Sequence, residues 1–391
     1  MKKLVIITTH PIQYNAPWFK LLAERKIIDI KVFYTWGQLE TESKYDPGFG
    51  KHIEWDIPLL QGYKYFFVKN IASDPGSHHY KGIDNPTLIK EVEDYNPDAV
   101  LIFGWKFKSH LQCIRYFHKK IPVFFRGDST LLDNNTSSFI RNFLKKKFLK
   151  EVYKKVDKVL YAGTFNKEYF MHYGVPEYKL VFAPHAIDNN RFRDAVSMKK
   201  KDADIPEDYC VFLFAGKLEE KKDPLMLLEA FIDWGHTGAF LLIVGNGNMA
   251  AVLKQRAEAA TEDIKRRIKF MDFQNQLAMP GIYKLTDVFV LPSKGPGETW
   301  GLSVNEAMAC GRAVLVSDKC GCGMDLVDNG MNGYLFRSGD KNDLISKMNS
   351  MTNKHVLEKM GGTSFERIQS WSFDNICMAV ENCLITNKER L

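Results

Sequence analysis

Residues 291–311 read LPSKGPGETWGLSVNEAMACG, and this stretch decides how the chain folds. A short apolar run, Asp287-Val-Phe-Val-Leu291, leads into it and predicts a buried strand. A Pro- and Gly-rich turn follows, with glycines at 295, 297 and 301 that leave the backbone open to a ligand. Glu298 lies in the turn, and Glu306 begins a small-residue helix expected over 303–310. Strand, glycine loop and helix in that order form a ligand-binding unit at the carboxyl edge of a parallel sheet. The loop brings backbone N–H groups and one carboxylate, and the helix start brings a second.

On either side of this stretch the pattern repeats. Strands are expected at 210–215, 240–244, 268–271, 288–291, 313–317 and 332–336, alternating with helices at 225–231, 249–259 and 281–285. Further helices are expected at 341–351, 354–368 and 373–386. Upstream, strands at 4–8, 28–34, 98–103, 122–125, 157–162 and 179–183 alternate with helices at 18–24, 85–95, 109–119 and 166–173. Residues 36–86 are irregular, with short strands at best near 53–57 and 65–68. This alternation is the signature of parallel α/β sheets. The 391 residues suit two such domains. The charged segment NNRFRDAVSMKKKDADIPED, 189–208, is read as the linker region between them.

Composition narrows the class. With 45% hydrophobic and 26% charged residues, the chain is of soluble globular type, and no apolar run reaches the length that spans a bilayer. The start, MKKLVIITTHPIQYN, reads as a first strand rather than a signal peptide. Seven irregularly spaced cysteines argue against a disulfide framework and for a reducing cytosol. Cys320-Gly-Cys322 is too tight for a usual zinc pair, and no metal cluster stands out. The net charge of +7 is concentrated at 139–158, where eight Lys and Arg face only Glu151 and Asp157. Apolar residues recur there at helical spacing. This basic amphipathic helix is either a packed helix with a solvated lysine face or a surface that attracts anionic lipid headgroups or an acidic acceptor. No recognition module for nucleic acid accompanies it.

Other candidates follow the strands of the second half. Gly216-Lys-Leu-Glu-Glu-Lys-Lys-Asp223 places backbone donors, Lys217 and Lys222 where a diphosphate would suit them, although the same run also reads as a solvated turn. Gly245-Asn-Gly247 is a glycine pair after a strand.

Together, Gly216-Lys217…Lys222, Gly245-x-Gly247, PS-x4-ETWGLSVNEAMACG and Gly330-x-Asn-Gly333 resemble retaining glycosyltransferases of family 4, within the glycosyl transferases group 1. Gly174-Val-Pro…Lys179-Leu-Val-Phe-Ala-Pro-His-Ala-Ile-Asp188 is similar to that family's hinge side, with His185-Ala where Asn-Gly is usual. Ser370-Trp371 resembles its crossover. The resemblance covers most of 157–373 and is weaker over 1–156. It implies the GT-B fold: two Rossmann-like, doubly wound α/β domains facing across a cleft. These would be an acceptor domain, 1–190 with a returning helix at 372–391, and a nucleotide-sugar domain, 191–371.

By that resemblance the donor site takes Gly216, Lys217, Lys222, Gly245, Gly247, Glu298, Thr299, Trp300, Gly301, Leu302 and Glu306. Glu306 would hold the ribose and Glu298 the hexose hydroxyls. Lys217, where the family usually has Arg, and Lys222 would neutralise the leaving diphosphate. Neither metal nor cofactor is then expected, and the nucleotide diphosphate sugar is a co-substrate. Two departures concern the acceptor half. The first loop carries His10, Gln13 and Asn15 where relatives have a Gly-Gly pair, and Arg126-Gly-Asp128 stands where many have a histidine. Asp128 is a catalytic or sugar-binding candidate, and Arg126 would either pair with it or bind an acceptor phosphate.

The expected activity is transfer of a hexose-type sugar to a glycan or lipid-linked acceptor in surface polysaccharide or lipopolysaccharide assembly. The expected place is the cytoplasm, against the inner face of the membrane. The alternatives are a nucleotide-sugar epimerase of the same architecture and a non-catalytic sugar-binding partner. A dinucleotide oxidoreductase is disfavoured because no G-x-G-x-x-G follows the first strand of either half.

Overall fold

A computed structural model of the protein describes residues 1–37, 44–46, 49–132 and 139–386. Contacts divide the chain into two compact units. One comprises the described residues of 1–43, 58–185 and 373–391, and the other those of 44–57 and 186–372.

The first unit is built on seven parallel strands. In chain order they are β1 (Lys3–Thr8), β2 (Asp29–Tyr34), β5 (Lys64–Phe67), β6 (Ala99–Phe103), β7 (Val123–Arg126), β8 (Lys158–Tyr161) and β9 (Leu180–Phe182). The two short strands between β2 and β5 are β3 (Lys44–Asp46) and β4 (Lys51–Ile53), an antiparallel pair that packs with the second unit. The order across the first sheet is β5-β2-β1-β6-β7-β8-β9. Val5, Ile7, Val100, Ile102, Val123 and Phe125 form the core on one face. Leu4, Ile6, Leu101 and Phe124 are equally buried on the other. Burial on both faces explains why these strands read as unbroken apolar runs.

The second unit has six parallel strands: β10 (Cys210–Ala215), β11 (Ala239–Val244), β12 (Ile268–Met271), β13 (Val288–Leu291), β14 (Ala313–Ser317) and β15 (Gly333–Phe336). Their order is β12-β11-β10-β13-β14-β15. The winding therefore reverses between β10 and β13, and a crevice opens there at the carboxyl ends. Phe212, Phe214, Leu241, Ile243, Val288, Val290 and Leu315 pack under the helices of one face.

Three expectations are corrected. The charged segment 189–208 is packed rather than a loose linker. It contains a helix, Asn189–Asp194, and buries Phe192, Ala203 and Ile205. Its charges work at the rim, where Arg191 donates to the backbone and side-chain oxygens of Gln276 and Asp204 Oδ2 accepts from Lys269 Nζ at 2.7 Å. Polar composition hid three buried side chains. Second, the basic helix is shorter than expected, Phe139–Tyr153, and its first turns are not packed. Third, the helix after the central loop is Leu302–Ala309, so Glu306 lies in its second turn rather than at its start.

The last helix, Phe373–Thr386, belongs to the first unit; residues 387–391 of the expected returning segment lie outside the described residues. Within that unit, Arg25 grips the carboxylate of Glu381 through Nε at 2.8 Å and Nη2 at 2.9 Å. Glu381 is nearly buried, so this fork fixes the terminal helix on Ala16–Glu24. Glu381→Ala should lower stability by about 2–3 kcal/mol, because it strands a guanidinium. Asp374→Ala removes the other, 64% exposed partner of Arg25 and should cost less than about 1 kcal/mol. Comparing the unfolding curves of the two variants checks this.

Candidate active site

The loops that leave β10 and β13 flank the reversal of strand order, and both contain residues singled out in the sequence. After β10 the chain runs through Gly216 and Lys217 into a single 3₁₀ turn, Glu220–Lys222. After β13 it runs through Pro292 to Gly301 and then starts the helix Leu302–Ala309. Lys294 N donates to Lys221 O at 2.9 Å, which ties the two loops together.

That tie brings Lys222 and Glu298 into contact. Lys222 Nζ lies 2.6 Å from Glu298 Oε2, and their side chains are only 15% and 11% exposed. Ser293 Oγ donates to the same carboxylate oxygen at 3.1 Å. Burial alone would lower the pKa of the Lys222 ammonium. The charge and hydrogen bond of Glu298 outweigh burial and raise it above the usual 10.5. The ammonium is thus held charged inside a half-closed site.

The loop after β11 completes the floor. Leu218 N donates to Asn246 O at 2.9 Å, and Met249 N to Leu218 O at 3.0 Å. The two glycine loops run side by side. A Cβ on Gly245 would fall 1.9 Å from Gly216 O, so the approach requires glycine. On the far side, Gly321 N donates to Glu298 O at 3.0 Å and Cys322 N to Trp300 O at 2.9 Å. Backbone bonds from Gly321 and Cys322 therefore hold the Glu298 to Trp300 stretch. The N–H groups that open the helix at Leu302 add positive potential to the same edge.

Glu306 is buried and accepts a hydrogen bond of 2.8 Å from Tyr283 Oη, which sets the orientation of its carboxylate. The Trp300 indole turns inward and donates to Asn305 Oδ1 at 2.8 Å. Any contact of Trp300 with a ligand is left to its backbone. Cys320 and Cys322 line the same loop as buried free thiols; burial pushes Cys320 up to about 12, so it is not a nucleophile at neutral pH.

A further layer was not foreseen from the sequence. The antiparallel pair β3–β4 lies beside Lys217. The Phe49 ring sits 5.1 Å from Lys217 Nζ and 4.7 Å from Phe273, and Trp55 stands 6.4 Å from Phe273. Asn275 Nδ2 donates to Glu54 O, and Leu277 N to Asp56 Oδ2 at 3.0 Å. An aromatic wall therefore flanks the Lys217 ammonium. Only the aromatic richness of 36–86 hinted at it.

The candidates of the first unit have other surroundings. His10 pairs with Thr9 Oγ1 at 3.0 Å and meets the edge of Trp36 at 5.2 Å. Asn15 Oδ1 accepts from Trp18 Nε1 at 3.3 Å, and Gln13 is half-buried in the same loop after β1. Arg126 is buried and donates to Ala183 O at 2.8 Å and Pro184 O at 2.9 Å, joining the end of β7 to the segment after β9. This is a structural use of the guanidinium and does not favour the expected acceptor-phosphate role. Burial lowers its pKa to about 10, against the charge of Asp128. Asp128 is exposed just beyond β7. Burial, and then the charge of Arg126, push His185 down to about 4 while Asp128 opposes them, so the imidazole is neutral at pH 7. His185 is the group near Asp128 that the sequence reading did not select.

The site can neutralise an anion with Lys217 and Lys222 and accept hydroxyl hydrogen bonds at Glu298 and Glu306. Residues 197–362 match the family described as Glycosyl transferases group 1. A UDP-Gal:alpha-D-GlcNAc-diphosphoundecaprenol alpha-1,3-galactosyltransferase of Escherichia coli is 29% identical over 46% of this chain and 47% of its own. A lipopolysaccharide 1,2-N-acetylglucosaminetransferase of Salmonella typhimurium is 28% identical over 46% of this chain and 50% of its own. The chain thus spans about half the length of these relatives. Anabaena HepE, solved in complex with UDP and glucose, superposes with a TM-score of 0.70 at 16% identity, covering 99% of this chain and 100% of its own. The two parallel α/β sheets share the GT-B fold of such solved structures.

The salt link has a definite pH signature. Because the Lys222 pKa is raised on folding, its contribution is fully present below 10.5 and is lost only as pH rises beyond that value. Glu298→Gln should lower stability by about 3 kcal/mol at neutral pH, and the deficit should shrink as pH rises toward 10.5, because burial without the carboxylate lowers the Lys222 pKa in the variant. Thermal melts of both proteins across that range check this.

Proposed function

We propose, from a donor-type site in a segment that matches the group 1 glycosyl transferases, that this chain is a retaining glycosyltransferase of family 4. It moves a hexose-type sugar from a nucleotide diphosphate sugar to a lipid-linked or glycan acceptor. The observation that carries the proposal is the enclosed Lys222–Glu298 pair beside Lys217 at the reversal of strand order. An ammonium held charged in a partly dry site is suited to a diphosphate, and a carboxylate beside it is suited to sugar hydroxyls.

In this reading the donor diphosphate lies between Lys217, Lys222 and the start of the helix Leu302–Ala309. The incoming phosphate shares Lys222, and Glu298 turns its carboxylate to the hexose hydroxyls. Glu306, oriented by Tyr283, accepts from the ribose. As the bond from anomeric carbon to phosphate oxygen breaks, negative charge grows on the leaving group, and the two ammonium groups stabilise it. The acceptor oxygen bonds to the anomeric carbon on the face the phosphate leaves, and a phosphate oxygen takes the acceptor's proton. The lysines supply the positive charge, so the proposal assigns no metal to this step. The acceptor class rests on the names of the relatives, one acting on a diphosphoundecaprenol-linked sugar and one on lipopolysaccharide. Surface polysaccharide assembly is the corresponding setting.

The basic helix suits a lipid-linked acceptor. On Phe139–Tyr153, Ile140, Phe143 and Leu144 are 71%, 60% and 59% exposed, while Leu149, Val152 and Tyr153 are buried. Exposed apolar side chains interleaved with Arg141, Lys146, Lys147 and Lys150 suit an anionic membrane surface. Among the described residues no helix is long and apolar enough to cross a membrane. The proposal places the enzyme peripherally, on the cytoplasmic face.

Two experiments test this. A panel of nucleotide sugars should include one that raises the melting temperature and is slowly hydrolysed. With that donor, Lys222→Ala and Glu298→Gln should each reduce transfer on the order of 100-fold or more; near-normal turnover in either would sink the donor-site assignment. Replacing Lys145, Lys146 and Lys147 together by Ala should weaken binding to vesicles rich in anionic lipid on the order of 100-fold, with steep salt dependence. Unchanged binding would return the helix to a solvated face.

A further inference from the structure

The long segment between β5 and the helix Leu88–Tyr95 is closed on itself by hydrogen bonds. Asn70 is its clasp: Nδ2 donates to Gly82 O at 2.9 Å, and Oδ1 accepts from Ala72 N at 3.1 Å and Asp84 N at 2.9 Å. Ile71 N donates to Asp84 O at 2.9 Å, and Gly76 N to Gly82 O at 3.0 Å. A Cβ on Gly82 would lie 2.1 Å from Gly76 O, so the two arms meet this closely only with glycine there. The closed loop carries three side chains on its outside. His78 Nε2 lies 3.1 Å from Asp74 Oδ2, and His79 Nε2 lies 3.3 Å from the same oxygen. One donor atom from each of the three falls within 4.8 Å of the others.

We propose that Asp74, His78 and His79 form a binding site for a zinc-like divalent transition-metal ion. The spacing is the first ground. Zinc bound at about 2.0–2.2 Å to nitrogen and oxygen in tetrahedral geometry holds its ligand atoms about 3.2–3.5 Å apart. Of the two observed separations, 3.3 Å lies within that range and 3.1 Å falls just short of it before any adjustment. The second ground is the donor set. Two imidazole nitrogens and one carboxylate oxygen suit zinc, nickel or copper, whereas magnesium and calcium prefer all-oxygen sites. The third is the framework. The clasp around Asn70 and the Gly76–Gly82 crossing hold the three donors, so little loop ordering remains to oppose binding.

Hydrogen bonds alone use this geometry poorly. Both Nε2 atoms converge on one carboxylate oxygen, and His79 Nε2 is also 2.9 Å from Asp74 O, so one N–H faces two acceptors. A metal ion replaces those protons and satisfies all three side chains at once. All three are accessible, so the ion keeps water in its remaining position and exchanges with solution. The loop follows β5 at the carboxyl edge of the first sheet, and the ion would pin that loop from Asp74 to His79. It takes no part in the transfer step.

The test uses the full chain, freed of metal with a chelator, and zinc chloride as the probe. Calorimetric titration should show saturable binding of one zinc ion with a rise in melting temperature, and magnesium should produce neither. Asp74→Asn and the double variant His78→Ala/His79→Ala should weaken zinc binding by about 10-fold or more while leaving the metal-free melting temperature unchanged. Absence of saturable zinc binding overturns the proposal. So does binding of undiminished affinity in the double variant, which would place zinc elsewhere on the chain.

Discussion

A lysine and a glutamate that meet across the reversal of strand order hold the candidate site together. Lys222 comes from the loop after β10 and Glu298 from the loop after β13, adjacent strands whose connections run to opposite faces of the sheet. Neither charge tolerates that degree of enclosure alone, and each makes the other's burial acceptable. The surrounding backbone bonds, from Lys294 to Lys221 and from Gly321 to Glu298, keep the pair from opening into solvent. In the proposed function, the pair supplies one positive group for a phosphate and one negative group for hydroxyls.

The second unit is organised to make that pairing reliable. Its four central strands, β10, β11, β13 and β14, are buried on both faces, so the β10 and β13 termini are set by a rigid core. Glycine at 245 lets the loop after β11 press against Gly216, closing the floor. Tyr283 and Asn305 act from below, fixing Glu306 and the Trp300 ring without facing the ligand side. The first unit has a comparable sheet but a different economy of charge: Arg126, the most suggestive cation near its carboxyl edge, is held by backbone carbonyls.

Legibility in the sequence followed the range of the interactions. Both sheets could be read because apolar runs such as Cys210–Ala215 and Ala239–Val244 are local signals. Glu298, Lys222 and the glycine pairs could be read because a loop between strand and helix keeps its chemistry in a short motif. The segment 189–208 could not, since its many charges outnumber the buried Phe192, Ala203 and Ile205. The wall of Phe49, Trp55 and Phe273 could not either, because aromatic residues far apart in sequence carry no sign of their pairing. The donors at Asp74, His78 and His79 were overlooked because the Asn70 clasp that gathers them is invisible in a spacing.

By itself, the sequence determined two parallel α/β sheets and the identity of the acidic and basic groups in the second half. Periodicity and motif spacing are properties of neighbouring residues, and the chain alone expresses them. Only the tertiary structure decided that Lys222 and Glu298 are partners, that Glu306 is held by Tyr283 inside a helix, and that the apolar side of Ile140, Phe143 and Leu144 stays uncovered. Each of these depends on which strands and helices become neighbours. The residues 291–311 supplied half of the site, and strand order supplied the other half.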